Sequence, residues 1–212
     1  VNGVSGLHTD ILKADTFEAF NRIYPGKFNN VTNGIAHRRW LGQANPELTN
    51  YLNGLLGGDF IKDLSNIEEL LKYADDKTVL ADLEKIKYTK KEQLAKYIKD
   101  ANGINVDINS IFDVQVKRLH EYKRQLLNAL HIVYLYRQIK FNGLRPRPRT
   151  FIFAAKASSG YVMAKNIIKF ICTLSEMIEA DPLVRDYIKV VFLEDYRVTL
   201  AEIIIPGANV SE

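Results

Sequence analysis

Four permanent cations fall within eight residues in the run Lys117-Arg118-Leu119-His120-Glu121-Tyr122-Lys123-Arg124, directly after the strand-like Val114-Gln115-Val116. A guanidinium can fork two parallel hydrogen bonds onto one oxyanion, and an ammonium adds a compact charge on a flexible stem. Arg118 and Lys123 therefore have the chemistry to clamp a phosphate. A strand-to-helix junction suits that ligand, because the helix start offers free N–H groups and the positive end of its dipole. The same residues also read as a basic helix start in which Glu121 pairs locally and Lys123 and Arg124 face solvent. Charge alone leaves both readings open. His120 could act as a base near neutral pH, but no partner is visible and packing is the simpler role. His131, between Leu130 and Ile132, reads as a core or boundary histidine, and His8 and His37 have no ligand spacing around them. No metal site is expected.

Two more segments end strand-like runs in polar groups. Phe153-Ala154-Ala155-Lys156-Ala157-Ser158-Ser159-Gly160 passes through small residues into a helical pattern, and Val191-Phe192-Leu193 leads into Glu194-Asp195-Tyr196-Arg197. Taken singly, the first reads as an ordinary tight turn. Together with Val116-Lys117, they make three consecutive strands ending in polar or basic residues, as a site along one edge of a parallel sheet requires. Nearer the start, Asn33-Gly34 with Arg38, Arg39 and Trp40 reads on its own as an exposed loop.

The elements that must position these groups follow from periodicity. Leu7, Ile11 and Leu12 predict one short helix, and Phe17, Phe20 and Ile23 a second that Pro25-Gly26 breaks. Pro46-Glu47-Leu48 predicts the first turn of another. Residues from Asn66 to Lys99 read as two or three amphipathic helices whose charges form a solvated face. From Ile108 onward strand and helix patterns alternate: a strand over Ile108 to Val116, a helix over His120 to Phe141, a strand over Arg149 to Ala155, a helix over Ser159 to Ile178 and a strand over Ile188 to Leu193. The run through Ala201 to Ile205 is ambiguous between helix and strand, although Glu202 to Pro206 has a strand-like look. The fold class is α/β: a partial, Rossmann-like, doubly wound parallel sheet preceded by a helical segment. Neither a dinucleotide fingerprint nor a Walker motif is present.

Composition narrows the function. A net charge of +4 on 212 residues is a mild excess of Lys and Arg over Asp and Glu spread along the chain. It suits an anionic ligand but argues against a nucleic-acid-binding module. Cys172 is the single cysteine, so no disulfide framework can form and a reducing, cytoplasmic setting fits best. No run approaches the ~20 apolar residues of a membrane helix, and no membrane association is expected. The start lacks methionine, and the end follows an apolar run directly, which reads as a piece of a longer protein.

Taken together the segments resemble the α-glucan phosphorylases, the glycogen and maltodextrin enzymes, over nearly the whole chain. The residues that carry the likeness are Val1-Asn2-Gly3-Val4 with Leu7-His8, Thr32-Asn33-Gly34-Ile35 with Arg38-Arg39-Trp40-Leu41, Val114 to Gln125, Lys156 with Gly160-Tyr161 and Met163-Ala164-Lys165, and Phe192-Leu193-Glu194 with Tyr196-Arg197-Val198. The resemblance implies a two-domain glycosyltransferase that uses inorganic phosphate to cleave terminal α-1,4-glucosyl units to α-glucose 1-phosphate with retention. It also implies pyridoxal phosphate as cofactor and a homodimeric parent. Arg118 and Lys123 are implied to bind the substrate phosphate and Lys117 the cofactor phosphate. Tyr122 and Asn33 are implied to hydrogen-bond the glucosyl unit, and Trp40 and Tyr196 to line the cofactor pocket. Residues 1–40 would close the amino-terminal domain and 41–212 open the carboxy-terminal Rossmann-like domain, the cofactor lysine lying beyond Glu212. On that reading the isolated chain neither holds the cofactor covalently nor turns over glucan. His37 stands where the family pattern has proline, and Ser158-Ser159 replaces a pair expected to contain one; only loop detail is affected. The alternatives are a nucleotide-sugar glycosyltransferase of the glycogen synthase type and a non-enzymatic basic binding module.

Overall fold

The computed structural model describes residues 1–57 and 60–212, and contacts divide the chain into two units, Val1–Gln43 and Ala44–Glu212. In the first unit the Ser5 side chain accepts from the His8 amide and so caps α1 (Gly6–Ile11), satisfying a donor the helix itself cannot. A wider turn, Leu12–Thr16, leads to α2 (Glu18–Ile23). That helix stops before Pro25, whose ring disfavours helical backbone in the residue ahead of it. Strands β1 (Asn2–Gly3) and β2 (Asn29–Asn30) pair in parallel. A Cβ on Gly3 would meet Thr9 Oγ1 at 2.0 Å, so only glycine fits this close approach. The unit ends in a second wide turn, Arg38–Gln43.

The second unit opens with α3 (Pro46–Leu56), capped by the Asn45 side chain with Pro46 in its first turn. The stretch read as two or three amphipathic helices resolves into a tight-turned segment, Leu64–Tyr73, and one long helix, α4 (Lys77–Asn102), started by Asp76. The expectation of a merely solvated charged face fails on α4. Lys90 and Lys91 are 5% and 6% exposed. Lys91 Nζ donates to Ser110 O at 2.6 Å, and Lys87 Nζ donates to Pro206 O and Ala208 O at 2.7 and 2.8 Å. A lysine stem can lie buried along apolar surface as long as its ammonium finds acceptors: backbone carbonyls for Lys87 and Lys91, and the Glu47 carboxylate with the Gln93 side-chain oxygen for Lys90.

The alternation that follows builds the sheet. Strands β3 (Ile111–Val116), β4 (Arg149–Ala154), β5 (Ile188–Leu193) and β6 (Val210–Ser211) are connected by α5 (Gln125–Asn142), α6 (Val162–Glu179) and α7 (Val198–Gly207). All pairings are parallel, in the order β5-β4-β3-β6, with Ile111 opposite Arg149 and Arg149 opposite Ile188. Side chains alternate across the sheet. Phe151 and Phe153 join Ala129, Ile132 and Ile171 in the core beneath α5 and α6, whereas Ile152 and Ala154 join Leu94, Ile98, Leu200 and Ile204 beneath α4 and α7. Helices on both faces explain why β4 and β5 read as nearly continuous apolar runs.

The strand-like look of Glu202 to Pro206 is corrected: these residues lie in α7, which buries Leu200, Ala201 and Ile204 at helical spacing. Three consecutive isoleucines erase the periodicity that would have revealed it. The fourth strand is instead the short β6 beyond it.

Candidate anion site at the end of strand β3

The chain runs β3, β4, β5 in one direction across the sheet, and α7 then returns it to β6 on the far side of β3. Strand order therefore reverses between β3 and β6. Ligands of such sheets gather outside the carboxyl ends of the strands at this reversal, and Lys117 follows β3 there.

The cationic segment is tied down by its backbone. Lys117 N donates to Ala154 O at 3.1 Å and Leu119 N to Lys156 O at 3.2 Å, while the Leu119 side chain is buried. The helix expected from His120 onward is broken. Residues Glu121–Lys123 form one tight turn, Arg124 takes a left-handed conformation with φ of 62°, and α5 begins only at Gln125. Two buried amides reach back into this turn. Gln115 Nε2 donates to Lys123 O at 3.1 Å, and Gln125 Nε2 donates to Arg118 O at 3.3 Å. Asn128 Nδ2 completes the set by donating to Gln115 Oε1 at 3.2 Å.

Lys117, Lys123 and Arg124 line a cleft of about 310 Å³ together with Gln115, Asn128 and Glu212. Among the described residues, neither these three cations nor Arg118 has a carboxylate within ion-pair distance. Glu121, the local partner that the bland reading required, instead accepts from the Tyr161 hydroxyl at 2.6 Å. Three cations that, among the described residues, make no ion pair and outnumber the one carboxylate lining the cleft, Glu212, are the electrostatic preparation for an anion. Arg118 is exposed and does not line the cleft. Tyr122 is 71% exposed, its ring 4.6 Å from that of His120 and 5.6 Å from Lys123 Nζ. His131, expected in the core or at its boundary, is exposed and lines the cleft, because the α5 face it shares with Leu127 turns away from the sheet.

Tyr196, the remaining candidate in the second unit, does not line this cleft. Tyr196 follows β5, with β4 intervening before β3. It is half-buried against the core beneath α4 and α7, and burial raises its phenol pKa above the ordinary value. Its neighbour Asp195 is left-handed, with φ of 49°, and is held by Arg197 Nη1 at 2.9 Å. Asn33 and Trp40 belong to the first unit: Asn33 is exposed with its amide bonded to Val4 O at 3.2 Å, and Trp40 is half-buried in the turn Arg38–Gln43.

Gln115, Gln125, Asn128 and Tyr161 went unassigned in the sequence. One signal was available for the first, a glutamine inside the otherwise apolar Val114-Gln115-Val116, where an amide is unfavourable unless hydrogen-bonded.

Comparison with known proteins places this arrangement. Residues 1–212 match the model of the carbohydrate phosphorylase family. The chain is 49% identical over 213 residues to glycogen phosphorylase of Bacillus subtilis and 46% identical over 212 residues to maltodextrin phosphorylase of Streptococcus pneumoniae, covering 27% and 28% of those proteins. It is 44% identical over 216 residues to the muscle form of glycogen phosphorylase from Homo sapiens, covering 25% of it. All of this chain enters each alignment, and it spans about a quarter of the length of these relatives. A match over every residue, carried by a parallel sheet whose cationic segment follows β3 at the reversal of strand order, means that the chain belongs to the carbohydrate phosphorylase family.

Proposed function

We propose that the protein carrying this chain is an α-glucan phosphorylase, which transfers the terminal α-1,4-linked glucosyl unit of a glucan to inorganic phosphate and releases α-glucose 1-phosphate. The observation that carries the reading is the set Lys117, Lys123 and Arg124, without carboxylate partners among the described residues, at a cleft beside the carboxyl end of β3. Charge that develops on phosphate oxygens is stabilised most by cations already fixed in place, because they need not reorganise as the reaction proceeds. Arg118 and Lys123 take the substrate phosphate in this reading, and Tyr122 and Asn33 hold the glucosyl unit.

Pyridoxal phosphate is the cofactor in this reading, and when bound it supplies a second phosphate group that exchanges a proton with the substrate phosphate. The donor set fits such a group. Lys117 is anchored through its amide to Ala154 O and has no carboxylate within ion-pair distance among the described residues, and two phosphates close together require more than one cation. Lys117 would contact the cofactor phosphate, while Trp40 and Tyr196 would line its ring pocket. Covalent attachment is assigned to a lysine outside these 212 residues, so the chain by itself is expected to be inactive. The division of contacts between Gln43 and Ala44 supports reading residues 1–40 as the close of one domain and 41–212 as the opening of the next. A homodimeric, cytoplasmic protein completes the reading; the single, half-buried cysteine is compatible with a reducing compartment.

The test is release of glucose 1-phosphate from maltodextrin and inorganic phosphate by the whole protein, with Arg118→Ala beside it. Release that drops on the order of 100-fold in the variant supports both the reaction and the clamp. No release with cofactor present overturns the reaction, and release unaffected by the substitution removes Arg118 from the site.

A further inference from the structure

Gln115 and Gln125 are only 4% and 2% exposed. A primary amide is unfavourable in such a place unless its hydrogen bonds are made, and leucine or methionine would fill either volume without that penalty. Each amide gives its Nε2 hydrogen to the backbone carbonyl of a different candidate phosphate ligand, Gln115 to Lys123 and Gln125 to Arg118. Asn128 orients the first by donating to Gln115 Oε1 at 3.2 Å, which leaves only the amide nitrogen to face Lys123. Gln125 Oε1 is buried with no partner among the described residues. Its side chain therefore contributes one weak bond, to Arg118 O, in exchange for burying two polar atoms, which is a poor arrangement for stability alone.

We infer that Gln115 and Gln125 are positioning residues that hold the backbones of Lys123 and Arg118, so that two long, flexible cations act as one oxyanion clamp. The segment between them needs such support. It turns tightly through Glu121–Lys123 and then through the left-handed Arg124, and free side chains of this length lose most by being fixed at a ligand. Holding the main chain at both ends shortens the lever on which each charge moves. The inference rests on the reading of Arg118 and Lys123 as phosphate ligands.

The experiment compares Gln115→Met, Gln125→Met, their combination and Lys123→Ala in the whole protein. The measurements are the KM for inorganic phosphate at saturating maltodextrin, the KM for maltodextrin, and the melting temperature with and without inorganic phosphate. The double variant is expected to raise the phosphate KM about tenfold, the effect of losing one to two neutral hydrogen bonds, and each single variant about threefold. The maltodextrin KM stays within about twofold, and the melting temperature responds less to added phosphate. Should the double variant not fold, the single variants carry the same comparison. A lowered melting temperature with an unchanged phosphate KM in folded single variants means that the glutamines are only structural, and overturns the inference. Lys123→Ala separates the two levels: if it raises the phosphate KM and the glutamine variants do not, the inference alone falls. If it also leaves the phosphate KM unchanged, the clamp reading and the inference fall together.

Discussion

The Tyr161 hydroxyl donates to Glu121 Oε2 at 2.6 Å and accepts from the Glu121 amide at 3.3 Å, bracing the segment after β3 against the segment after β4. The only carboxylate within the cationic run is thus bonded to a neutral phenol. That bond, with a smaller contribution from burial, raises the Tyr161 pKa above its ordinary value.

Tyr161→Phe removes both hydrogen bonds without removing the ring that packs 5.5 Å from His120. Amide hydrogen exchange over residues 119–124 is expected to accelerate while β3 and β4 keep their protection, since loops open locally without global unfolding. Unchanged exchange in that window would show that the brace is dispensable.

Asp181 links α5 to the turn after α6. Lys140 Nζ lies 2.7 Å from its Oδ2 and the Tyr136 hydroxyl donates to the same oxygen at 2.6 Å. Lys140 first and Tyr136 second hold its pKa down to about 2. A folded-state pKa below the unfolded one stabilises the fold above the unfolded value, about 3.9, and that stabilisation disappears as pH falls through 2. Asp181→Asn should lower the urea midpoint at neutral pH, with the gap to the wild type closing between about pH 4 and pH 2. A gap that stays constant with pH would rule out this carboxylate as its origin.

Lys87 supports the entry to β6 by capping the Pro206 and Ala208 carbonyls at the end of α7. Lys87→Met should cost about 1–3 kcal/mol, the penalty of leaving buried acceptors without donors. Chemical denaturation measures it, and a change within 0.5 kcal/mol, about that of an ordinary surface substitution, would mean that water replaces the ammonium.

Among the described residues strand β5 pairs only with β4 and forms one edge of the sheet. Its Val190 carbonyl accepts from the Ser175 hydroxyl, and its Phe192 carbonyl accepts from Asn102 Nδ2 at 3.2 Å. Side chains that occupy edge acceptors block pairing with another copy. Replacing both Ser175 and Asn102 with alanine should increase self-association, read as a rise in light scattering with concentration. No rise would place the protection elsewhere on the strand.

Much of this was legible because β4 and β5 are buried on both faces and announce themselves as apolar runs. The cationic segment was equally legible, since charge density needs no partner to be seen. What escaped depended on distant residues. Glu121 pairs with Tyr161 across 40 positions, so its local ion pair could be assumed but not tested. Gln115 reaches Lys123 only because the turn doubles back, and Lys87 and Lys91 of α4 find carbonyls that another helix and a loop supply. The isoleucines at 203–205 hid α7 for a different reason: a run that is apolar all round has no period to read. Asn33 and Trp40 were visible through family motifs alone.

The left-handed backbone at Arg124 has an evolutionary consequence. Glycine would occupy that conformation without the ~1 kcal/mol strain that a side chain brings, so a search for greater stability at this position leads towards glycine. The same step would delete a charge from the cleft. Arg124 is therefore a position where selection for thermostability and selection for anion binding pull in opposite directions, and consensus stabilisation should leave it untouched.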